Sequence, residues 1–185
     1  MPCAGLYNLD VIYAHKSMAT LMSTKLPDGV TLDRTYAGRG WCTFECFEGQ
    51  LIKPQSFCID LGLFSVDMAC EWYQFNENPL RIGEAPFAQR TVMELSRQGS
   101  GELYGVLSKL TGSVRRAPLA PAAFAELLKT SCNFTNPADA AVVVELYDKT
   151  ATALLGSEKE LKFSDLERAA ADYQRLGEAL RYCGA

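Results

Sequence analysis

Over residues 42–52 the apolar positions Phe44, Phe47 and Leu51 recur at helical spacing, and Ile52 widens the stripe. This pattern predicts an amphipathic helix that starts near Cys42 and stops before Pro54. Glu45 and Glu48 lie three apart on a different side from the stripe, with Glu45 on the first turn. A carboxylate there would be stabilised by the helix dipole, by roughly 0.3–1 kcal/mol. Upstream, Asp10-Val-Ile-Tyr-Ala14 is short, β-branched and aromatic, and predicts a strand that ends at His15. Residues 18–24 and Ser56-Phe-Cys-Ile-Asp-Leu-Gly62 predict two more strands, and Pro27-Asp-Gly29 predicts a turn.

Beyond residue 62 the pattern weakens. An aromatic segment over 71–75 is broken by 76–79, a short helix is expected over 86–97, 98–101 is a glycine-containing break, and 102–109 is helical in composition. The stretch 111–120 reads as a linker. Pro121 then stands at a first helical position, where its missing N–H costs nothing, and Phe124, Leu127 and Leu128 share a face. A longer helix over 137–155 is expected to be capped by Asn136, to bury Val142, Val143, Leu146 and Tyr147, and to end at Gly156. Ser164 is expected to cap a last helix running to about Tyr182. The whole predicts an α/β fold: a small mixed or parallel sheet with packed helices over 1–110, followed by a mostly helical region over 121–185.

Composition narrows the function classes. A hydrophobic share of 48% supplies a real core, while a net charge of −4 and a single basic pair, Arg115-Arg116, argue against nucleic acid as a partner. No apolar run approaches the roughly 20 residues that span a bilayer, so no membrane partner is expected. Seven cysteines, odd in number and irregular in spacing, read as reduced thiols of a cytoplasmic protein. With one histidine, no metal site is expected. A Cys–His pair drawn from Cys42 or Cys46 with His15 is open, since such partners meet in space rather than in sequence.

The chemistry concentrates in Tyr36-Ala-Gly-Arg-Gly-Trp-Cys-Thr-Phe-Glu45, where a glycine-rich turn leads through Trp41 into the helix. Trp41 is expected to be mostly buried, anchoring the turn. Trp41, Cys42 and Glu45 resemble the Trp-Cys-x-x-Glu signature of Toll/interleukin-1 receptor (TIR) domains, over about a fifth of the chain, so that 1–110 would be a partial TIR-like region. That resemblance implies Glu45 as the catalytic residue for cleaving NAD, Arg39 on phosphate and Trp41 or Tyr36 stacked on a ring, with His15 a further candidate ligand group. NAD would be a substrate, and no resident cofactor is implied.

A wider resemblance is to uncharacterised proteins of unicellular eukaryotes that share an Arg-Gly-Trp-x-x-Phe-Glu core. It rests on Tyr13-Ala-His15, Thr24-Lys-Leu-Pro27 and Arg39-Gly-Trp-Cys-Thr-Phe-Glu45, and downstream on Arg115-Arg-Ala-Pro-Leu-Ala-Pro121 and Phe134-Thr-Asn-Pro-Ala-Asp139. In those proteins a segment like Leu176-Gly-Glu-Ala-Leu-Arg-Tyr-Cys183 often leads into leucine-rich repeats. Two functions follow as expectations. The first is a non-catalytic interaction or signalling module with protein partners and self-association. The alternative is a TIR-like enzyme that hydrolyses NAD through Glu45.

Overall fold

The structure, a computed structural model, describes residues 8–26, 29–31, 34–54, 57–65, 109–111, 116–158, 161 and 170–183. The elements are α1 (Leu9–Ala14), β1 (Thr20–Met22), α2 (Gly40–Gln50), β2 (Cys58–Asp60), α3 (Pro121–Ser131), α4 (Asp139–Ser157) and α5 (Ala170–Ala179). Among the described residues, single 3₁₀ turns accompany them at Tyr36–Gly38, Leu61–Leu63 and Leu180–Tyr182. The expected segments over 71–101, most of 102–109, and the Ser164 cap lie outside the described residues.

β1 and β2 pair in parallel, Thr20 opposite Cys58 and Met22 opposite Asp60, with α2 as the crossover between them. A parallel pair needs such a long connection, and a helix is the usual one. The fold is thus a small parallel sheet with packed helices, α/β as the pattern predicts. The strand expected over Asp10–Ala14 is a correction: residues 9–14 form a helix. On a strand, Asp10 and Tyr13 would face opposite sides. On a helix, residues three apart share a face. Asp10 is buried there and Tyr13 half-buried, while Val11 and Ile12 remain exposed.

The main core is aromatic and crosses the expected linker. Phe44 and Phe47 of α2 and Leu51 at its C-cap pack with Leu119, with Phe124 and Leu128 of α3, and with Val143, Leu146, Tyr147, Ala151 and Leu155 of α4. Phe124 stacks on Tyr147 with centroids 3.8 Å apart, and Phe47 meets Phe124 edge-on at 5.7 Å. Residues 117–120 are buried, and the Leu119 carbonyl accepts a hydrogen bond from the Tyr147 hydroxyl at 2.9 Å. The segment is therefore core, shared by the N-terminal unit and the C-terminal helices. A second, smaller core joins Met22, Cys46 and Cys58 under the Tyr36 ring.

Pro121 opens α3 at the expected position. α4 begins two residues later than expected and runs through Gly156. Asn136 is not its cap: its carboxamide accepts from the Ala138 N–H (3.2 Å) and donates to Asp139 (3.0 Å), forming a turn just ahead of the helix. Gly49 lets α2 lie directly on β1, since a β-carbon there would overlap the Thr20 side chain. Among the described residues no helix is long and apolar enough to cross a membrane.

Candidate functional site

α2 starts at Gly40, two residues earlier than the stripe predicts. Glu45 is therefore in the second turn, beyond the first-turn reach of the helix dipole, and needs another partner. It finds one in α1, where the Tyr13 hydroxyl donates to Glu45 Oε1 at 2.8 Å. Burial, then the bond and charge of Glu45, push the Tyr13 hydroxyl up to about 12, so it remains a donor throughout the neutral range.

Trp41 is half-buried rather than mostly hidden. Its ring meets Phe44 edge-on at 5.9 Å, and its indole N–H donates to Asp139 Oδ2 at 2.9 Å across 98 residues of sequence. The neighbouring Gly40 is required by close approach, because a β-carbon would clash with the Phe134 ring. The backbone adds two bonds, Gly40 N–H to the Asn133 carbonyl and Asn133 N–H to the Gly38 carbonyl, both at 3.0 Å. The Arg-Gly-Trp element and the Phe-Thr-Asn-x-x-Asp element thus touch each other. The Arg-Arg-x-Pro element reaches the same helix: the Arg116 N–H donates to Gln50 Oε1 at 3.0 Å, and its guanidinium lies over the Phe47 ring.

The five candidate residues divide among four places. Arg39 and Trp41 come together, with Arg34, Cys42 and Phe134, along an open groove of about 550 Å³. Tyr36 packs against the Met22, Cys46 and Cys58 core, and burial raises its hydroxyl far above the ordinary phenol value. His15 lines a separate cleft between α1 and α4, and its Nδ1 accepts from the Ser17 N–H at 3.2 Å. Glu45 lines none of the described clefts. Burial, reinforced by Glu45, raises the Cys42 thiol despite Arg39, and burial raises Cys46 too. Neither shift favours the thiolate that a Cys–His nucleophile needs. Among the described residues no group of acids, cysteines and histidine is placed to hold a metal ion.

Sequence reasoning passed over a polar cluster beneath α1. Asp10 and Glu48 are 2% and 0% exposed, and Lys53 is fully buried. Asp10 Oδ2 accepts from Lys149 Nζ at 2.8 Å and from the Thr150 hydroxyl at 3.2 Å. Lys53 Nζ donates to the Thr20 hydroxyl at 2.9 Å, and burial lowers its affinity for a proton. Asp10 Oδ1 and both Glu48 carboxyl oxygens have no hydrogen-bond partner among the described residues. Burial, with the Asp10 charge adding to it and Thr150, Lys53 and Lys149 opposing, pushes the Glu48 carboxyl up to about 9. Glu48 is then a neutral acid at pH 7. Positions 44, 47, 48 and 51 follow helical spacing, so the buried face of α2 takes in Glu48 beside the apolar stripe.

Compared with known proteins, the chain matches no family model, no curated protein and no solved structure. The likeness to TIR domains and to the Arg-Gly-Trp-x-x-Phe-Glu proteins accordingly rests on the motif residues alone.

Proposed function

We propose that this chain is a non-catalytic interaction or signalling module of the cytoplasm, in which the Arg-Gly-Trp motif holds the fold together and the surfaces serve protein partners or a second copy. The observation that carries this reading is the use of both motif side chains inside the molecule. The Trp41 indole donates to Asp139, and Glu45 accepts from Tyr13. A catalytic carboxylate would instead need a cleft in which to meet its substrate. Exposed apolar side chains on α1 and beside the sheet, among them Val11, Ile12, Leu21 and Phe64, suit contact with another protein. The cytoplasmic part of the proposal is supported by free thiols at Cys42, Cys46, Cys132 and Cys183.

The test pairs chemistry with stability. Purified protein and its Glu45→Gln variant are incubated with a fluorogenic NAD analogue, and both are melted. The interaction reading expects no turnover above buffer from either, with a lower melting temperature for the variant. Turnover by the parent chain that Glu45→Gln abolishes would overturn it in favour of NAD hydrolysis. Light scattering after size exclusion then separates self-association from a monomer awaiting another partner.

A further inference from the structure

The cleft between α1 and α4 has apolar walls, formed by Val11, Ala14, Ile52 and Leu154, and a volume of about 330 Å³. That is the small end of ligand sites, which run to roughly 300–1,000 Å³. Asp10 lines it as well, although it is only 2% exposed. Its Oδ2 is occupied by Lys149 and Thr150, while its Oδ1 has no donor among the described residues. An unpaired buried carboxylate oxygen is costly and charge-assisted bonds are the strong ones, so an ammonium that reached this carboxylate as Lys149 swung aside would be favoured.

The same cleft selects the sign of that donor. Asp10 and, at the rim, Glu158 disfavour an anionic head group, and the two lysines of the lining, Lys149 and Lys16, are each engaged by one of these acids. Glu158 pairs with Lys16 at 3.6 Å, so the rim carries balanced charge. Lys149 already shows that an ammonium seats on Asp10, at 2.8 Å, and its side chain is 60% exposed and able to swing into water. An incoming ammonium that displaced it would leave the charge balance of the cleft unchanged. We infer that this cleft binds a small primary amine with an apolar body, the ammonium held by Asp10 and the body by the walls of α1 and α4. This goes beyond the interaction reading and uses none of the Arg-Gly-Trp residues.

The experiment follows backbone amide shifts of isotope-labelled protein at pH 7 during titration with hexylamine, 1-hexanol or hexanoate. Hexylamine should shift Val11, Ala14 and Ala153 saturably, hexanol should bind at least about tenfold more weakly, and hexanoate should not bind. Lys149→Met, which removes the internal competitor, should tighten hexylamine binding. A residue with only a structural role would not respond in that direction. Asp10→Asn should erase the preference of amine over alcohol, and Ala153→Met, made at an exposed position on the cleft wall, should block both. If Asp10→Asn fails to fold, the ligand series on the parent and on Lys149→Met decides. Absence of saturable hexylamine shifts in both, or equal binding of hexanoate, would overturn the assignment.

Discussion

Phe47 and Glu48 are neighbours on α2, yet they enter different environments. Phe47 meets Phe124, which stacks on Tyr147, while the Arg116 guanidinium lies over the Phe47 ring. Glu48 meets a pocket of buried polar groups, Asp10, Thr150 and Lys53, that tie α1, β1 and α4 to the same helix. The aromatic side gains by area removed from water and by ring geometry, and its contribution is insensitive to pH. The polar side carries a desolvation cost that its hydrogen bonds only partly offset, and it responds to protons. One face of the molecule is built for stability, and the other is built so that charge governs it.

The largest expected effect attacks the aromatic side. Phe124→Ala should cost about 3–5 kcal/mol in denaturant unfolding, as large aromatic truncations do. A loss near zero would mean that the ring stack is not the centre of the core.

The next prediction separates the two sides by pH. Because the Glu48 carboxyl is raised to about 9, the folded state keeps a proton that the unfolded chain releases above the ordinary carboxylate range. The unfolded state then binds fewer protons, so stability should fall as pH rises from about 5 towards 9, by up to about 1.4 kcal/mol per unit. Glu48→Gln should flatten that slope, whereas Phe124→Ala should lower stability equally at every pH. A slope that survives Glu48→Gln would assign the proton to another group.

Smaller effects test the links between the sides. Trp41→Phe keeps a ring but removes the donor to Asp139 and should cost roughly 1–2 kcal/mol, with coupling to Asp139→Ala in a double-mutant cycle. Tyr13→Phe should cost about 0.5–1.5 kcal/mol and should couple to Glu45→Gln in the same manner. Additive behaviour in either cycle would dissolve the proposed link. Least of all, Lys16→Ala removes an exposed ion pair at the cleft rim and should change the melt by no more than roughly 0.2–1 kcal/mol.

Much of the fold was legible along the chain. The spacing of Phe44, Phe47 and Leu51, the pair Phe124 and Leu128, and the run Val143, Leu146 and Tyr147 marked the buried faces of α2, α3 and α4. Short apolar segments marked both strands, and Pro121 marked a helix start. These readings succeeded because helical and strand periods are local, and water exclusion selects the apolar positions whatever lies opposite. Residues 9–14 misled because six residues are too few for a period to decide, and their helical form answers to Lys149 and Thr150, about 140 positions away. The end of the expected linker, residues 117–120, met the same limit, since only the placement of α3 and α4 buries Leu119 against Tyr147.

The candidate chemistry was less legible than the fold. Sequence singled out Glu45, Trp41, Arg39, Tyr36 and His15 by residue type, but type does not say what a polar group will meet. Packing gave Glu45 to Tyr13 and Trp41 to Asp139, turned Tyr36 into the second core, and set His15 in another cleft from Arg39. It also brought Asp10, Glu48 and Lys53 together out of water, although nothing in their own neighbourhoods required it. Apolar burial follows from a residue's own spacing. The state of a buried polar group is set by the partner that long-range packing brings to it, and that partner is decided only when the chain has closed.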